Sequence, residues 1–235
     1  HTGRARVALA EMTKDSDVAI DVRRLAERPR LEDAMDAGGF HQNPAAGPPG
    51  AWMSRDGIPV DLMVPDALVS DVGRRGARIP PHSSRATRRA IGLEAAVVDH
   101  SPVTVRGLSP RDGRALVANV ASPAALLVAK LHKLDERRSS PRRLVKKDAH
   151  DVYRLLVACA TRDLSDSLRR LRDDELSARV TELALASLGE LFAAGPHALG
   201  CSMAGQAEDG IGDPDVVAAA AAALADDLVR DTRRD

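Results

Sequence analysis

Aromatic side chains are scarce in this chain of 235 residues, in which one Trp, one Tyr and two Phe make up 2%. Surfaces that bind single-stranded nucleic acid by base stacking need several aromatic rings, so the composition argues against that class. Cysteine is equally scarce, and the two cysteines, Cys159 and Cys201, form no CxxC pair. The sequence therefore indicates neither a thiolate zinc site nor a disulfide framework.

Long apolar runs are also missing. The longest uncharged apolar run, 216–225, has ten residues, whereas a membrane-spanning helix needs about 20. No segment with the basic-then-apolar order of an export signal is found either. Hydrophobic residues make up 44% and charged residues 29% of the chain, which is typical of a globular protein. We expect a cytoplasmic protein with no membrane partner.

The formal net charge is zero, but the charge is unevenly distributed. Residues 1–162 hold 27 Lys and Arg against 19 Asp and Glu, and residues 163–235 hold 7 against 15. Two basic clusters lie in the first part, at 74–89 and 137–147. Such clusters indicate either a solvated surface or a polyanionic partner, and two of them together favour a nucleotide or RNA.

The hydrophobic patterns predict strands in the first half of the chain and helices in the second. Short β-branched runs predict strands at 17–22, 58–64, 94–99, 103–105 and 114–120. The segment 73–89, rich in Gly, Pro and Arg, is predicted to be a basic loop. Ser122 and Pro123 are typical of a helix start, and apolar residues follow at helical spacing.

These elements predict the α+β fold class. We expect a small mixed-sheet domain over 1–120, a helical domain over 121–195, a flexible linker over 196–212 and a terminal helix over 213–235.

Three carboxylates are the strongest candidates for chemistry. Asp15 and Asp17 form an Asp-x-Asp motif at the start of the first predicted strand, where residues two apart project to the same face, ~7 Å apart. Asp61 is a lone charge in an otherwise apolar strand, and such a charge is costly unless it is paired or metal-bound. If the two strands are neighbours, these oxygen ligands suit Mg²⁺ that carries nucleotide phosphates.

A second set of charged residues lies on two predicted helices. Lys130, Lys133 and Arg137 fall on one helix face, which could bind a triphosphate. Asp148 and Asp151 lie one turn apart on the next helix and could orient the lysine. The alternative is a helix pair with a solvated ion-pair face, which is the commoner cause of such a pattern.

The order of these motifs resembles the DNA-polymerase-beta-type nucleotidyltransferase superfamily. The sequence shows Thr-x-Asp-x-Asp at 13–17, a hydrophobic-Asp-hydrophobic strand at 60–62, Pro123 followed by Lys130, and Lys-Asp-x-x-Asp at 147–151. More narrowly, it is similar to the AbiEii-like toxin branch and its bacterial relatives. The resemblance spans residues 2–158, and it implies a nucleotidyltransferase-like domain followed by helices.

The resemblance also implies roles for individual residues. Asp15, Asp17 and Asp61 match the metal-binding acidic positions, and Lys130 matches the lysine that holds the nucleotide phosphates. The last acidic motif falls on Asp148 or Asp151, and the sequence does not choose between them. Nucleotide contacts are implied at Gly3, Thr13, Lys130 and Lys133.

One position departs from the superfamily pattern. The superfamily has a Gly-Gly or Gly-Ser pair, about ten residues before Asp-x-Asp, whose backbone cradles phosphate. The only candidate here is Gly3-Arg4, with a bulky Arg where a small residue belongs, and the helix that precedes the pair is missing. We therefore expect a domain that is truncated at its start.

The sequence leaves three functions open. One is a plain helical interaction module, in which Asp15, Asp17 and Asp61 would not cluster; the other two depend on the resemblance. The first is a Mg²⁺-dependent enzyme that moves a nucleoside monophosphate from a nucleoside triphosphate to a hydroxyl group. The toxin branch implies an RNA acceptor, such as the 3′ end of a tRNA, and an antitoxin protein as partner. The second is a non-catalytic, degenerate member of the fold that binds a nucleotide or a protein.

Overall fold

The structure, a computed structural model, describes residues 2, 15–42, 47–70, 76–107, 109 and 111–234. The strands are β1 (Ser16–Ala19), β2 (Phe40–Gln42), β3 (Ala51–Ser54), β4 (Pro59–Pro65), β5 (Arg88–Ala90), β6 (His100–Arg106) and β7 (Ala115–Ala121). The α-helices are α1 (Leu31–Ala37), α2 (Leu93–Val98), α3 (Pro123–Arg138), α4 (Lys146–Ala158), α5 (Thr161–Asp173), α6 (Ala178–Leu188), α7 (Leu199–Ala207) and α8 (Pro214–Thr232). The α+β class with a small mixed sheet is confirmed.

Strand β4 is the centre of a five-stranded sheet. It pairs with β1 in parallel on one side, and its other side pairs first with β3, antiparallel, and then with β5, parallel. Strand β2 extends the sheet beyond β3. The apolar sequence of β4 explains its central place, since Leu62 and Val64 are buried.

A small core lies on one face of this sheet. Trp52 on β3 is 2% exposed and packs with Leu62 and Ala86. Its indole Nε1 donates a hydrogen bond to the Ala86 carbonyl at 2.9 Å, so the loop that precedes β5 is fixed over the sheet.

The segment 94–99 was predicted to be a strand, and this prediction is wrong. Residues 93–98 form helix α2, which begins after Gly92 in the left-handed conformation with φ of 90°. The Glu94 carboxylate accepts hydrogen bonds from the backbone N–H groups of Gly92 and Ala67, at 2.8 and 2.9 Å. These bonds fix the first turn of the helix, and the β-branched Val97-Val98 pair does not outweigh them.

The second half of the chain is helical and contains the larger core. Helix α3 starts as predicted, with Ser122 as N-cap, whose Oγ accepts from the Ala125 N–H at 3.1 Å. Its apolar face, with Leu127 and Leu131, is buried in a core that extends through α8. None of the helices in the described ranges is long and apolar enough to cross a membrane.

The segment 196–212 was predicted to be a flexible linker, and the structure contradicts this. It contains helix α7, in which Cys201 and Ala204 are fully buried. A Cβ at Gly200 would lie 2.5 Å from the Phe192 ring, and a Cβ at Gly205 would lie 2.3 Å from the Pro214 carbonyl oxygen. Here glycine permits close packing, whereas the sequence pattern was interpreted as flexibility. The terminal helix α8 begins after Asp213, as expected.

Candidate functional site

The parallel pairing of β1 and β4 brings two of the predicted acidic residues side by side. Asp17 is the register partner of Asp61, with Ser16 opposite Val60 and Val18 opposite Leu62. Directly opposite residues of neighbouring strands project to the same face of a sheet. The two strands are thus neighbours, and the carboxylates of Asp17 and Asp61 share one face of the sheet.

The electrostatic environment of Asp17 links it to further charged residues. Burial raises the pKa of the Asp17 carboxyl, and the negative charges of Asp15 and Asp61 raise that pKa further. The positive charges of Lys133 and Lys130 act in the opposite direction. All four residues of β1 are solvent-exposed, so this burial is partial. Three carboxylates and two ammonium groups thus form one electrostatic cluster.

Asp61 has a direct cationic partner in the sheet. The Arg88 Nη2 on β5 donates a hydrogen bond to the Asp61 Oδ2 at 2.7 Å, and both side chains are partly buried. The same nitrogen contacts the Met63 sulfur at 3.2 Å. Met63 and Arg88 are register partners on β4 and β5, so the strand pairing itself places the guanidinium beside Asp61.

The acidic residues are neighbours, but their side chains are not close enough together to form a metal-binding site. Within the part of the chain that the structure describes, no three His, Cys, Asp or Glu side chains lie close enough together to bind one metal ion. The salt bridge to Arg88 occupies one oxygen of Asp61. Asp17 interacts electrostatically with both Asp15 and Asp61.

Helix α2 connects the sheet to the basic helix α3. It contacts β1 and β4 on one side and α3 on the other. A Cβ on Gly92 would lie 2.7 Å from the His132 ring and 3.2 Å from the Ala129 Cα. Because Gly92 has no side chain, α3 can pack closely against the end of β5. The charged face of α3 therefore lies near the acidic strands.

Lys130 on α3 is held by Asp151 on α4. The Lys130 Nζ donates to the Asp151 Oδ2 at 2.6 Å, and both side chains are partly buried. Of the two aspartates that the sequence left open, Asp151 is therefore the one that pairs with Lys130.

Asp148 binds the other two cations of the same helix face. Its side chain is 4% exposed, and its carboxylate lies 2.9 Å from the Lys133 Nζ. Its second oxygen accepts a hydrogen bond from Arg137. A buried carboxylate with two cations fixes the geometry of α3 against α4.

Gly3 and Thr13, which the resemblance assigns to nucleotide contacts, lie outside the described residues. The basic loop, by contrast, is described from residue 76 onward. It is anchored to α1, because the His82 Nδ1 accepts from the Leu31 N–H and the Glu32 carboxylate accepts from the Ser83 N–H, both at 3.0 Å. The described part of the loop is therefore packed against the domain.

Two surface depressions lie near charged residues. One of about 420 Å³ is bounded by the basic loop, including Arg78, His82 and Arg85, and the loop reaches β5 through a bridge between Gly76 and Arg88. A larger cleft of about 730 Å³ between α5 and α8 contains none of the predicted site residues, and arginines and aspartates alternate along it. Only the first is connected to the acidic strands.

Sequence reasoning missed Arg88 as a member of the site. Arg88 was assigned to the basic loop at 73–89, because the many arginines of that segment obscure the three-residue strand β5. The signal that could have revealed it is the lone Asp61 in an apolar strand, which requires a cationic or metal partner.

No protein-family model, no curated protein and no solved structure matches the chain.

Proposed function

We propose that this protein is a nucleotidyltransferase that moves a nucleoside monophosphate from a nucleoside triphosphate to a hydroxyl group. The observation that supports it is the register of Asp17 with Asp61 on adjacent parallel strands, with the Lys130 and Lys133 charges acting on the same carboxylate. Carboxylates facing ammonium groups are what a site for a metal-bound triphosphate needs.

The lysines of α3 would bind the phosphates. Lys130 and Lys133 are each held by one aspartate of α4, so they are ordered before substrate arrives and little side-chain entropy is lost on binding. Their charges would offset the negative charge that develops on the leaving pyrophosphate.

The acidic residues fit Mg²⁺ in the chemistry of their donors. Asp15, Asp17 and Asp61 offer carboxylate oxygens only, which Mg²⁺ prefers, and a cation would relieve the repulsion that raises the Asp17 pKa. When bound, the Mg²⁺ ion would neutralise negative charge on the phosphates. Asp61 accepts from Arg88 through Oδ2, so Oδ1 is the oxygen that it would offer to the ion.

In the proposed reaction the acceptor oxygen forms a bond to the α-phosphorus, and the bond from that phosphorus to the bridging oxygen of the β-phosphate breaks. Pyrophosphate leaves, and the acceptor proton passes to Asp61 or to water. An RNA acceptor, such as a tRNA 3′ end, is consistent with the basic depression next to β5. An antitoxin protein would be the partner that the toxin branch implies.

Nucleotide binding can be measured by thermal melting. Mg²⁺ with a nucleoside triphosphate at millimolar concentration should raise the melting temperature of the wild type, because a ligand of the folded state shifts unfolding by mass action. Asp17→Asn should lose most of that increase. Asp33→Asn is the matched control, since Asp33 is an exposed aspartate that pairs with Arg30, and it should keep the increase. A wild type that shows no shift with any of the four triphosphates would refute the proposal.

A second candidate is a non-catalytic protein of this fold that binds a nucleotide or a protein. It is favoured by the internal ion pairs of the site, because Asp61 is paired with Arg88, Lys130 with Asp151 and Lys133 with Asp148. A site that neutralises itself is stable without substrate. The two candidates make different predictions: the enzyme transfers the α-phosphate to an acceptor hydroxyl group, and the non-catalytic protein does not.

A further inference from the structure

The hairpin of β6 and β7 forms a separate two-stranded sheet with most of its surface exposed. Among the described strands, β7 pairs with β6 alone, over seven register positions. The side chains of Val105, Leu116 and Val117 are 50, 65 and 65% exposed. An isolated two-stranded hairpin is at best marginally stable in water, and this hairpin contacts the rest of the domain at its base, where β7 meets α2 and Ala121 packs against the main core.

The ladder shows which backbone groups face outward. At one end the Gly107 N–H donates to the Arg114 carbonyl at 3.1 Å, and at the other the Ser122 N–H donates to the Asp99 carbonyl at 2.9 Å. Hydrogen-bonded and non-hydrogen-bonded pairs alternate along an antiparallel ladder. Between these ends, the even-numbered residues of β7 therefore bond to β6. The residues whose N–H and C=O groups point to the outer edge include Ala115, Val117 and Asn119.

The two outer edges of the hairpin differ in protection. On β6 the outward positions include Pro102, which has no N–H to donate, and the charged Arg106. Strand β7 contains no proline, glycine or charged residue. Exposed sheet edges are normally protected by proline or charge, so β7 is the unprotected edge. An uncharged, β-prone edge strand of this kind is a template for pairing with another strand.

We propose that β7 pairs with β7 of a second copy of this chain, antiparallel, about a two-fold axis at Ala118. In that register Val117 exchanges backbone hydrogen bonds with Asn119 of the second copy, and Leu116 lies opposite Val120 of the second copy. The two hairpins become one four-stranded sheet. Both strands are uncharged, so no like charges meet along the new pairing.

Charges at the two ends of β7 are complementary in this register. Arg114 lies opposite Ser122 of the second copy, and in each chain the Ser122 hydroxyl donates to Asp99. Arg114 is 90% exposed, and its guanidinium pairs with Asp112 of its own chain; such an exposed ion pair contributes little to stability, so Arg114 can exchange Asp112 for a new partner. Arg114 shares with Asp99 the hairpin face that carries the even-numbered residues of β7. Each Arg114 can therefore reach Asp99 of the second copy, and the symmetry forms this pair twice. This complementarity favours a second copy over an unrelated strand.

Sedimentation velocity of the full chain tests the proposal. The wild type should form a dimer whose proportion rises with protein concentration. Val117→Pro removes an outward N–H without breaking the ladder to β6, and it should give a monomer. Thr104→Pro makes the same change at the outer edge of β6 and should leave the dimer intact. A wild type that is monomeric at every concentration, or a dimer that Val117→Pro does not weaken, would overturn the proposal.

Oxidative crosslinking provides a second test that does not depend on a proline. Ala118 lies on the proposed axis in a non-hydrogen-bonded pair, where the Cα atoms are ~4.5 Å apart, within disulfide range. Ala118→Cys should form a covalent dimer, and Thr104→Cys should not. The wild type serves as background because it contains Cys159 and Cys201. Absence of a crosslink in folded Ala118→Cys would overturn the pairing.

Discussion

The Asp17 carboxyl has a raised pKa because burial and two neighbouring carboxylates disfavour its charged form. Its folded-state pKa lies above the unfolded value of 3.8. The stabilisation from protonated Asp17 is thus present below that value and is lost as the pH rises through the folded-state pKa. At neutral pH the ionised Asp17 therefore opposes folding.

Asp17→Asn should raise the stability of the metal-free protein at pH 7, and this gain should vanish below about pH 4. Because Asp17 is exposed and screened by solvent, we expect no more than about 1 kcal/mol, or about 2–4 °C. Melting curves at both pH values measure the change. Asp33→Asn is the control: the Arg30 guanidinium lowers the pKa of the Asp33 carboxyl, so neutralisation there should not stabilise. A lower melting temperature for Asp17→Asn at pH 7 would contradict this explanation.

Arg88 compensates the charge of Asp61 in the same cluster. Arg88→Gln removes this charge-assisted hydrogen bond and leaves Asp61 beside Asp17, so it should cost about 1–2 kcal/mol of unfolding free energy. Urea denaturation measures the cost. Arg85→Gln alters an exposed neighbour, and its unfolding free energy should stay within about 0.5 kcal/mol of the wild-type value.

A double-mutant cycle tests whether Asp61 is the cause. In the Arg88→Gln background, Asp61→Asn should recover part of the loss, since the unpaired carboxylate is then gone. Equal urea midpoints for Arg88→Gln and wild type would show that the pair is without energetic effect.

At the scale of elements, Asp148 joins α3 to α4. Its carboxylate is buried and binds Lys133 and Arg137. Asp148→Asn leaves two cations without their partner, and we expect a loss of about 3 kcal/mol. Asp135→Asn, which removes an exposed pair with Arg138 on the same helix, should cost less than about 1 kcal/mol. Chemical denaturation compares the two, and similar losses would show that burial of Asp148 has no special effect.

The sequence predicted those elements whose signals are local. Ser122-Pro123 and Asp213-Pro214 start α3 and α8 as expected, because N-cap chemistry depends on a few adjacent residues. The glycines of α7 were interpreted as a linker, since their packing against Phe192 and Pro214 is a tertiary effect.

The candidate site was predictable to a similar extent. The two acidic strands and the basic helix were found from their patterns. By contrast, the pairing of Asp61 with Arg88 joins residues 27 apart in sequence, and the buried His150–Glu208 pair at 2.8 Å joins residues 58 apart. No local spacing encodes contacts of that kind.

At the scale of the whole molecule, the charge separation has a functional consequence. The part of the chain with excess Lys and Arg carries the acidic strands, the basic loop and α3, and the remainder is acidic. A polyanion is therefore attracted toward the half that holds the candidate site. If RNA is the acceptor, as proposed, a filter-binding titration should show that its association weakens steeply as salt concentration rises, since phosphate contacts release counterions.

The most direct test of nucleotidyl transfer follows the two ends of the triphosphate. The wild type is incubated with Mg²⁺, total RNA and each nucleoside triphosphate, labelled in parallel at the α- or the γ-phosphate. We predict that the α-label becomes covalently attached to RNA while the γ-label is released in pyrophosphate. We also predict that Asp17→Asn abolishes both and that Asp33→Asn preserves them. Attachment of the γ-label would indicate phosphoryl transfer, and no attachment with any nucleotide would leave the non-catalytic alternative; either result would contradict the proposal.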